Sequence, residues 1–419
     1  MITESIKYNP IHVKKSTFKA GLSAQVHRWF RLTPSYGPDL VREMLHKLNC
    51  SKSEVVLDPF SGASTTLIES SLEGYDSYGF EINPFLHWVG KTSVNWAVDI
   101  KSIQEDLGRI IDMFRSDAAR INFSSLEENG LEIPKIHNPL RWWRPDVLTN
   151  ILILKRAIHQ VSSNEDNKNF FLLGFAGVLV PDLTNVTLGR LQLHFIERDA
   201  DVIDVISIFA KHIMVMVSDL EGLSKLEDVG SAKIFHTDSV TLEGVSLEKP
   251  ISCVITSPPY PNRYSYVWNT RPHLYMLDFF STPKEASSLD KNTIGGTWGN
   301  ATSMLSKGVI DAVFPFFENA ISPVVERIRQ EDNLMANYVM KYFNLLALQI
   351  KVMDKLPQSN LRCAYVVGNS RVKGVYVETD VLLGEIFKGL GYDVNSIERI
   401  RKRNSGKDLH ESIVYAAKS

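Results

Sequence analysis

Residues Val55 to Thr66, reading VVLDPFSGASTT, constrain the fold of this chain more than any other stretch. An apolar segment runs straight into Asp58, and the small residues Ser61, Gly62, Ala63 and Ser64 let the backbone turn tightly before a helix begins. A buried strand, a tight turn and a helix, in that order, form the opening unit of an open α/β sheet, which binds ligands at the carboxyl ends of its strands. Tyr75 to Glu81 is the next expected strand, reached through a turn at Gly74, so this region supplies half of a doubly wound sheet. No Gly-Lys-Ser/Thr follows the turn and the spacing is not Gly-x-Gly-x-x-Gly, which argues against a P-loop and against a dinucleotide enzyme. An acidic residue ending the second strand suits both hydroxyls of a ribose, so Glu81 points to a nucleotide-like cofactor. A tight turn without a ligand is the plainer alternative.

The chain divides into three blocks. Residues 1–100 hold an N-terminal segment and the first half of the sheet domain, including an amphipathic helix from Pro38 to Leu48. Residues 101–227 break the α/β rhythm with helical runs such as VLTNILILKRAIHQ and DVIDVISIFAKHIMVMVSDLEGL, a mostly helical insertion too long for an ordinary connection. Within it, EDNKN and the stretch Pro181 to Asn185 read as turns. Residues 228–419 return to strands at AKIFHTDS, ISCVITSPPY and LRCAYVVGNS, with a helix over about Asp380 to Leu390 and a terminal antiparallel pair, IERIRKR with ESIVYAAK.

The chemistry concentrates in Thr256-Ser257-Pro258-Pro259-Tyr260, directly after the apolar strand Ile251 to Ile255. Two prolines fix two φ angles and leave carbonyls free as acceptors, and an aromatic ring follows at once. Such a loop can stack a planar base on Tyr260 while the Ser257 side chain and the Pro258 carbonyl accept hydrogen bonds from an exocyclic amine. An aromatic amine is a poor nucleophile, because its lone pair is delocalised into the ring. Drawing it towards tetrahedral geometry and aiming it at an electrophilic methyl matters more than removing its proton. No cysteine follows the proline pair, where attack on a ring carbon would need one.

Asp-Pro-Phe-Ser-Gly after one strand, Glu81-Ile-Asn83-Pro after the next and Thr-Ser-Pro-Pro-Tyr later together resemble the amino-group DNA methyltransferases, over roughly residues 20–100 and 230–419. The resemblance implies an S-adenosylmethionine-dependent, Rossmann-like methyltransferase sheet with a mostly helical insertion. It places Asp58, Phe60, Ser61, Gly62, Ser64 and Thr65 at the methionine and sulfonium part of S-adenosylmethionine, and Glu81 and Asn83 at its ribose. Arg31, Thr33 and Ser35 fall at the cofactor carboxylate and Asp238 near the adenine. By the same likeness Ser257, Pro258, Pro259 and Tyr260 are catalytic, and the Ser-Pro-Pro-Tyr form points to the N4 amine of cytosine. Adenine N6 is the alternative target, and a nucleic-acid-binding module that has lost catalysis is the alternative class. Asn369, Ser370, Thr379 and Asp380 resemble late motifs that shape a base pocket. Ala63-Ser64 departs from the family's more glycine-rich turn, and the helical insertion matches no standard specificity domain.

A base inside duplex DNA cannot reach such a pocket without flipping out. Asn262 and Arg263 suit the pocket rim, and the basic run containing Arg399, Arg401, Lys402, Arg403 and Lys407 suits phosphate contact. A solvated edge strand protected by charge is the other reading of that run. Arg141-Trp-Trp-Arg144 reads as an anchor of the insertion on the sheet domain. The formal charge of -2 excludes non-specific wrapping of nucleic acid but allows a local basic groove. Three scattered cysteines indicate neither a disulfide framework nor a zinc site, so no metal is expected. With no signal-type leader and no membrane-length apolar run, the expectation is a cytoplasmic protein acting on double-stranded DNA, any cognate restriction endonuclease being separately encoded.

Overall fold

The computed structural model describes residues 5–11, 17, 19–32, 35–188, 192–261, 265–296, 305, 308–403 and 409–418. The main-sheet strands are β1 (Ile6–Tyr8), β2 (Val55–Asp58), β3 (Ser77–Glu81), β6 (Ala232–His236), β7 (Ile251–Thr256), β8 (Gln358–Gly368), β11 (Tyr392–Lys402) and β12 (His410–Lys418). Two small hairpins stand apart, β4 (Val186–Leu188) with β5 (Leu193–Phe195), and β9 (Ser370–Val372) with β10 (Val375–Val377). The eight-stranded sheet has the order β1-β11-β12-β8-β7-β2-β3-β6. All its pairings are parallel except those of β12, which runs against both β8 and β11. The expected terminal antiparallel pair is thus present, but β11 is no edge strand, since β1 covers its outer side.

Alternation along the central strands sends neighbouring side chains to opposite faces. Val56, Cys253, Ile255 and Ala364 pack under α1 (Pro38–Lys47) through Leu40, Val41 and Met44. Leu57, Val254 and Cys363 face the other way, against α10 (Pro315–Arg329), α11 (Asn333–Val352) and α12 (Thr379–Gly389). Every residue of β2 is buried, as a central parallel strand requires. Both faces are therefore helix-covered, the doubly wound arrangement expected, and the connection from β7 to β8 runs through α9 (Pro283–Asn292), α10 and α11, a crossover that the sequence reading did not resolve.

Between β3 and its parallel neighbour β6 lie α3 (Pro84–Ser93), α4 (Ile100–Ala118), α5 (Pro145–Val161), α6 (Glu165–Leu179) and α7 (Val205–Leu223). EDNKN, expected as a turn, is the first turn of α6 instead. Asn164 caps it by accepting from the Asn167 amide at 2.8 Å, and Glu165 and Asp166 sit where the helix dipole favours negative charge. Trp142 and Trp143 are buried, the Trp142 ring lying tilted against Trp268 of α8 (Tyr266–Met276) with centroids 5.8 Å apart. The insertion's core is continuous with Phe30, Phe85, Val267 and Leu274 of the surrounding fold.

The expectation that no cysteines pair is corrected. Cys50 and Cys253, separated by 203 residues, form a disulfide because the end of α1 folds onto β7, a proximity that spacing along the chain does not reveal. Cys363 is buried and free. Among the described residues no helix is long and apolar enough to cross a membrane, and no group of three or more His, Cys, Asp or Glu side chains could hold a metal ion.

Candidate active site

The strand ends of β2, β3, β6 and β7 converge on a cleft of about 730 Å3, open solvent at its mouth included. Phe60, Gly62, Glu81, Asn83, Asp238, Ser257 and Pro259 all line it. Residues expected to hold a cofactor and residues expected to do chemistry therefore share one wall, although they come from segments far apart in the chain.

Glu81 organises this wall. Its Oε2 accepts from the Gly62 amide at 2.8 Å and its Oε1 from the Asn83 amide at 2.8 Å. Burial pushes its carboxyl up to about 7, against the lowering effect of those amides. Gly62 adopts φ +51°, and a Cβ there would meet Leu32 Cδ2 at 3.3 Å, so the turn needs glycine both for its backbone and for its neighbour. Asn83 caps α3 through Oδ1, which accepts from Phe85 N at 3.0 Å, while its Nδ2 donates to Thr270 of α8 at 3.1 Å. The same residue thus fixes the floor of the cleft and the helix that follows the proline loop. Asp238 lies half-buried with Oδ1 accepting from Val240 N at 2.8 Å, and desolvation raises its carboxyl above the usual range.

Three of the expected cofactor residues stand behind the wall. Asp58 is 2% exposed and spends its oxygens on the protein, accepting from Thr256 Oγ1 at 2.5 Å, Phe60 N at 3.0 Å and the Tyr36 hydroxyl at 3.3 Å. It locks the end of β2 to the end of β7, and so sets the turn and the proline loop in register. Ser61 gives both its amide and its hydroxyl to Phe80 O, at 3.0 and 3.1 Å. Ser64 is fully buried at φ 65°, with its Oγ close against Gly90 of α3. These side chains shape the turn from inside. Thr65, at the start of α2 (Thr65–Leu72), instead lines an adjoining cleft with Arg31 and Ser35, and Ser35 Oγ lies 2.9 Å from Thr65 Oγ1. Leu32 forms part of both clefts. Thr33 lies outside the described residues.

In the proline loop, burial holds the Tyr260 hydroxyl well above the usual phenol range. The Pro259 carbonyl accepts from the Tyr342 hydroxyl of α11 at 2.8 Å. Sequence reading missed Tyr342, which sits in an apolar helix with no local signal of its role. Pro258 is buried. The Tyr260 ring lies against Gly368, where a Cβ would come within 2.8 Å of two ring carbons, and the Arg403 guanidinium lies 5.3 Å from its centroid.

The expected substrate residues separate on inspection of their partners. Asn369 is fully buried, with Nδ2 donating to the Tyr376 hydroxyl at 3.1 Å and Oδ1 accepting from Asp380 N at 3.1 Å. It cannot reach a substrate, and its role is to support β8 and α12. Arg401 is ion-paired with buried Glu411, and Arg399 with Glu378 and Asp380. The basic run is therefore largely consumed internally. Arg403 lies over the Tyr260 ring of the proline loop, its Nη1 donating to Asn369 O at 2.8 Å. Asn262, Arg263 and Lys407 lie outside the described residues.

No family model matches the chain. It is 22% identical over 379 residues to the type II methyltransferase M.MvaI of Kocuria varians, covering 86% of this chain and 81% of that one. M.AvaI of Nostoc sp. is 22% identical, covering 91% and 82%, and M.BsoBI of Geobacillus stearothermophilus 19%, covering 94% and 84%. Its relatives are type II methyltransferases. Among solved structures, the rRNA methyltransferase aviRa of Streptomyces viridochromogenes aligns over 98% of this chain and 96% of that one, with a TM-score of 0.35 and 9% identity.

The mostly parallel sheet with one reversed strand is that of the Rossmann-like methyltransferases, and likeness to type II methyltransferases implies S-adenosylmethionine as cofactor. The residues present fit it. Phe60, Phe80, Ile82 and Leu86 give the cleft an apolar wall, and each Glu81 oxygen holds one amide and keeps a lone pair for a hydroxyl. Arg31, Ser35 and Thr65 offer the adjoining cleft a cation and hydroxyls for a carboxylate.

Proposed function

We propose that this chain transfers a methyl group to the N4 amine of a flipped-out cytosine in double-stranded DNA. The observation that carries the reading is that Ser257 and Pro259 line the same cleft as Glu81 and Asp238. A base presented at the proline loop would meet the cofactor without further rearrangement of the sheet.

Bound S-adenosylmethionine supplies an electrophilic methyl on a sulfonium. Glu81, with Asn83 and Gly62 holding its carboxylate, takes the ribose hydroxyls, and Arg31 with Ser35 and Thr65 takes the carboxylate. Tyr260 offers its ring to the base. Ser257 Oγ and the Pro258 carbonyl accept the hydrogens of the amine and draw its lone pair out of conjugation, while Tyr342 occupies the neighbouring Pro259 carbonyl. The nitrogen sheds a proton to solvent once its new bond has formed. Serine as the first residue of the loop favours cytosine over adenine on family likeness. The type II designation of the relatives supports a role in a restriction-modification pair, any cognate endonuclease being a separate chain.

The test is nucleoside mass spectrometry of duplex DNA incubated with the protein and S-adenosylmethionine. N4-methylcytosine is expected, and N6-methyladenine would keep the chemistry while overturning the choice of base.

A further inference from the structure

We infer that the helical insertion builds the carboxylate end of the cofactor cleft, with Asp219 as the positioning residue. This rests on the reading that the paired clefts take S-adenosylmethionine.

Val26, His27, Arg28, Phe30, Arg31 and Leu32 form one wall of the cleft that holds Ser35 and Thr65. They belong to a run of turns with neither a regular helix nor a strand, so their shape has to be imposed from outside. Asp219, on α7 of the insertion, imposes it. The residue is 3% exposed and accepts from Val26 N at 3.1 Å, Arg28 Nε at 3.0 Å, Arg28 Nη2 at 2.5 Å and Trp29 Nε1 at 2.8 Å. Its backbone carbonyl also accepts from Gln25 Nε2 at 2.6 Å.

Two further features belong to the same seat. Val26 is held at φ 65°, a conformation that a β-branched residue rarely adopts, so this backbone needs a partner to stay in place. His212 Nε2 lies 3.0 Å from Trp29 O, and a Cβ on Gly177 would lie 2.1 Å from that same oxygen. Helices α6 and α7 are thus fitted to one short stretch of chain. A buried carboxylate that directs four side-chain bonds at that stretch is poorly explained by helix packing alone, since α7 would bury an apolar residue there at lower cost. Arg31 and Ser35 follow Trp29 closely in sequence, and their placement depends on where Trp29 is held.

The experiment compares two probes by calorimetry. S-adenosylhomocysteine carries the amino-acid carboxylate, whereas 5′-methylthioadenosine keeps the sulfur, ribose and adenine but lacks it. Asp219→Asn is expected to weaken S-adenosylhomocysteine on the order of tenfold and to leave 5′-methylthioadenosine within about twofold. Arg28→Ala, at the partly exposed end of the contact, is expected to shift the ratio of the two affinities in the same direction by about threefold or more. Should Asp219→Asn fail to fold, that ratio for Arg28→Ala decides the matter. Equal weakening of both probes, or no weakening of either, overturns the role of Asp219. Failure of the unmodified protein to bind either probe overturns the cofactor reading itself.

Discussion

Arg403 lies over the ring of Tyr260, its guanidinium carbon 5.3 Å from the ring centroid, while the ring rests against the bare backbone of Gly368. A ring seated this way is positioned by β8 and by the end of β11, not by its own loop alone. Gly368→Ala would put a Cβ within 2.8 Å of two ring carbons and force the ring to move. Because the ring is the free end of a side chain, folding should tolerate the change. A displacement on the order of 1 Å at a reacting centre can cost about 100-fold in rate. We expect kcat for methyl transfer to fall by about 10- to 100-fold with 5′-methylthioadenosine affinity retained. Unchanged kcat would show that this seat does not matter.

Glu81 carries a pH dependence whose sign follows from its placement. Burial raises its carboxyl to about 7 in the cofactor-free protein, so it is largely protonated below that pH. Accepting two ribose hydroxyls requires the ionised form. Affinity for 5′-methylthioadenosine should therefore be flat above about pH 7 and weaken by about tenfold per unit as pH falls further. Titration calorimetry across pH 5 to 9 checks this. Glu81→Gln should bind weakly with no such slope, and an unmodified protein whose affinity ignored pH would contradict the assignment.

Asp58 was expected at the cofactor, but its partners are Thr256, Phe60 and Tyr36. Removing it strands buried donors, at about 1 to 3 kcal/mol each. Asp58→Ala should lower unfolding free energy by on the order of 3 kcal/mol in a urea titration. Intact stability combined with lost cofactor binding would return Asp58 to the cleft wall.

The sheet was legible because its strands are short apolar runs closed by distinctive residues. Glycine turns, the acid at Glu81 and the proline pair each mark a strand's carboxyl end, and those ends must meet in an open α/β fold. What stayed hidden depended on contacts between distant segments. Nothing near Asp219 announces that its carboxylate serves Val26, Arg28 and Trp29, although a buried acid in a largely apolar helix is a faint sign. Cys50 and Cys253 likewise looked unrelated until β7 passed the end of α1. The basic run misled for the opposite reason. Its charges were visible, but the carboxylates of Glu378, Asp380 and Glu411 that neutralise Arg399 and Arg401 come from other elements. EDNKN read as a turn because polar residues favour turns, yet the same residues suit a capped helix start.

Methylation of duplex DNA by the protein beside its Tyr260→Ala variant, read as modified nucleosides by mass spectrometry, tests the central claim most directly. N4-methylcytosine that appears with the unmodified protein and is lost with Tyr260→Ala, while the variant still binds S-adenosylhomocysteine, is the expected result. No methylated base on any duplex tried, from a protein that binds the cofactor, would contradict it.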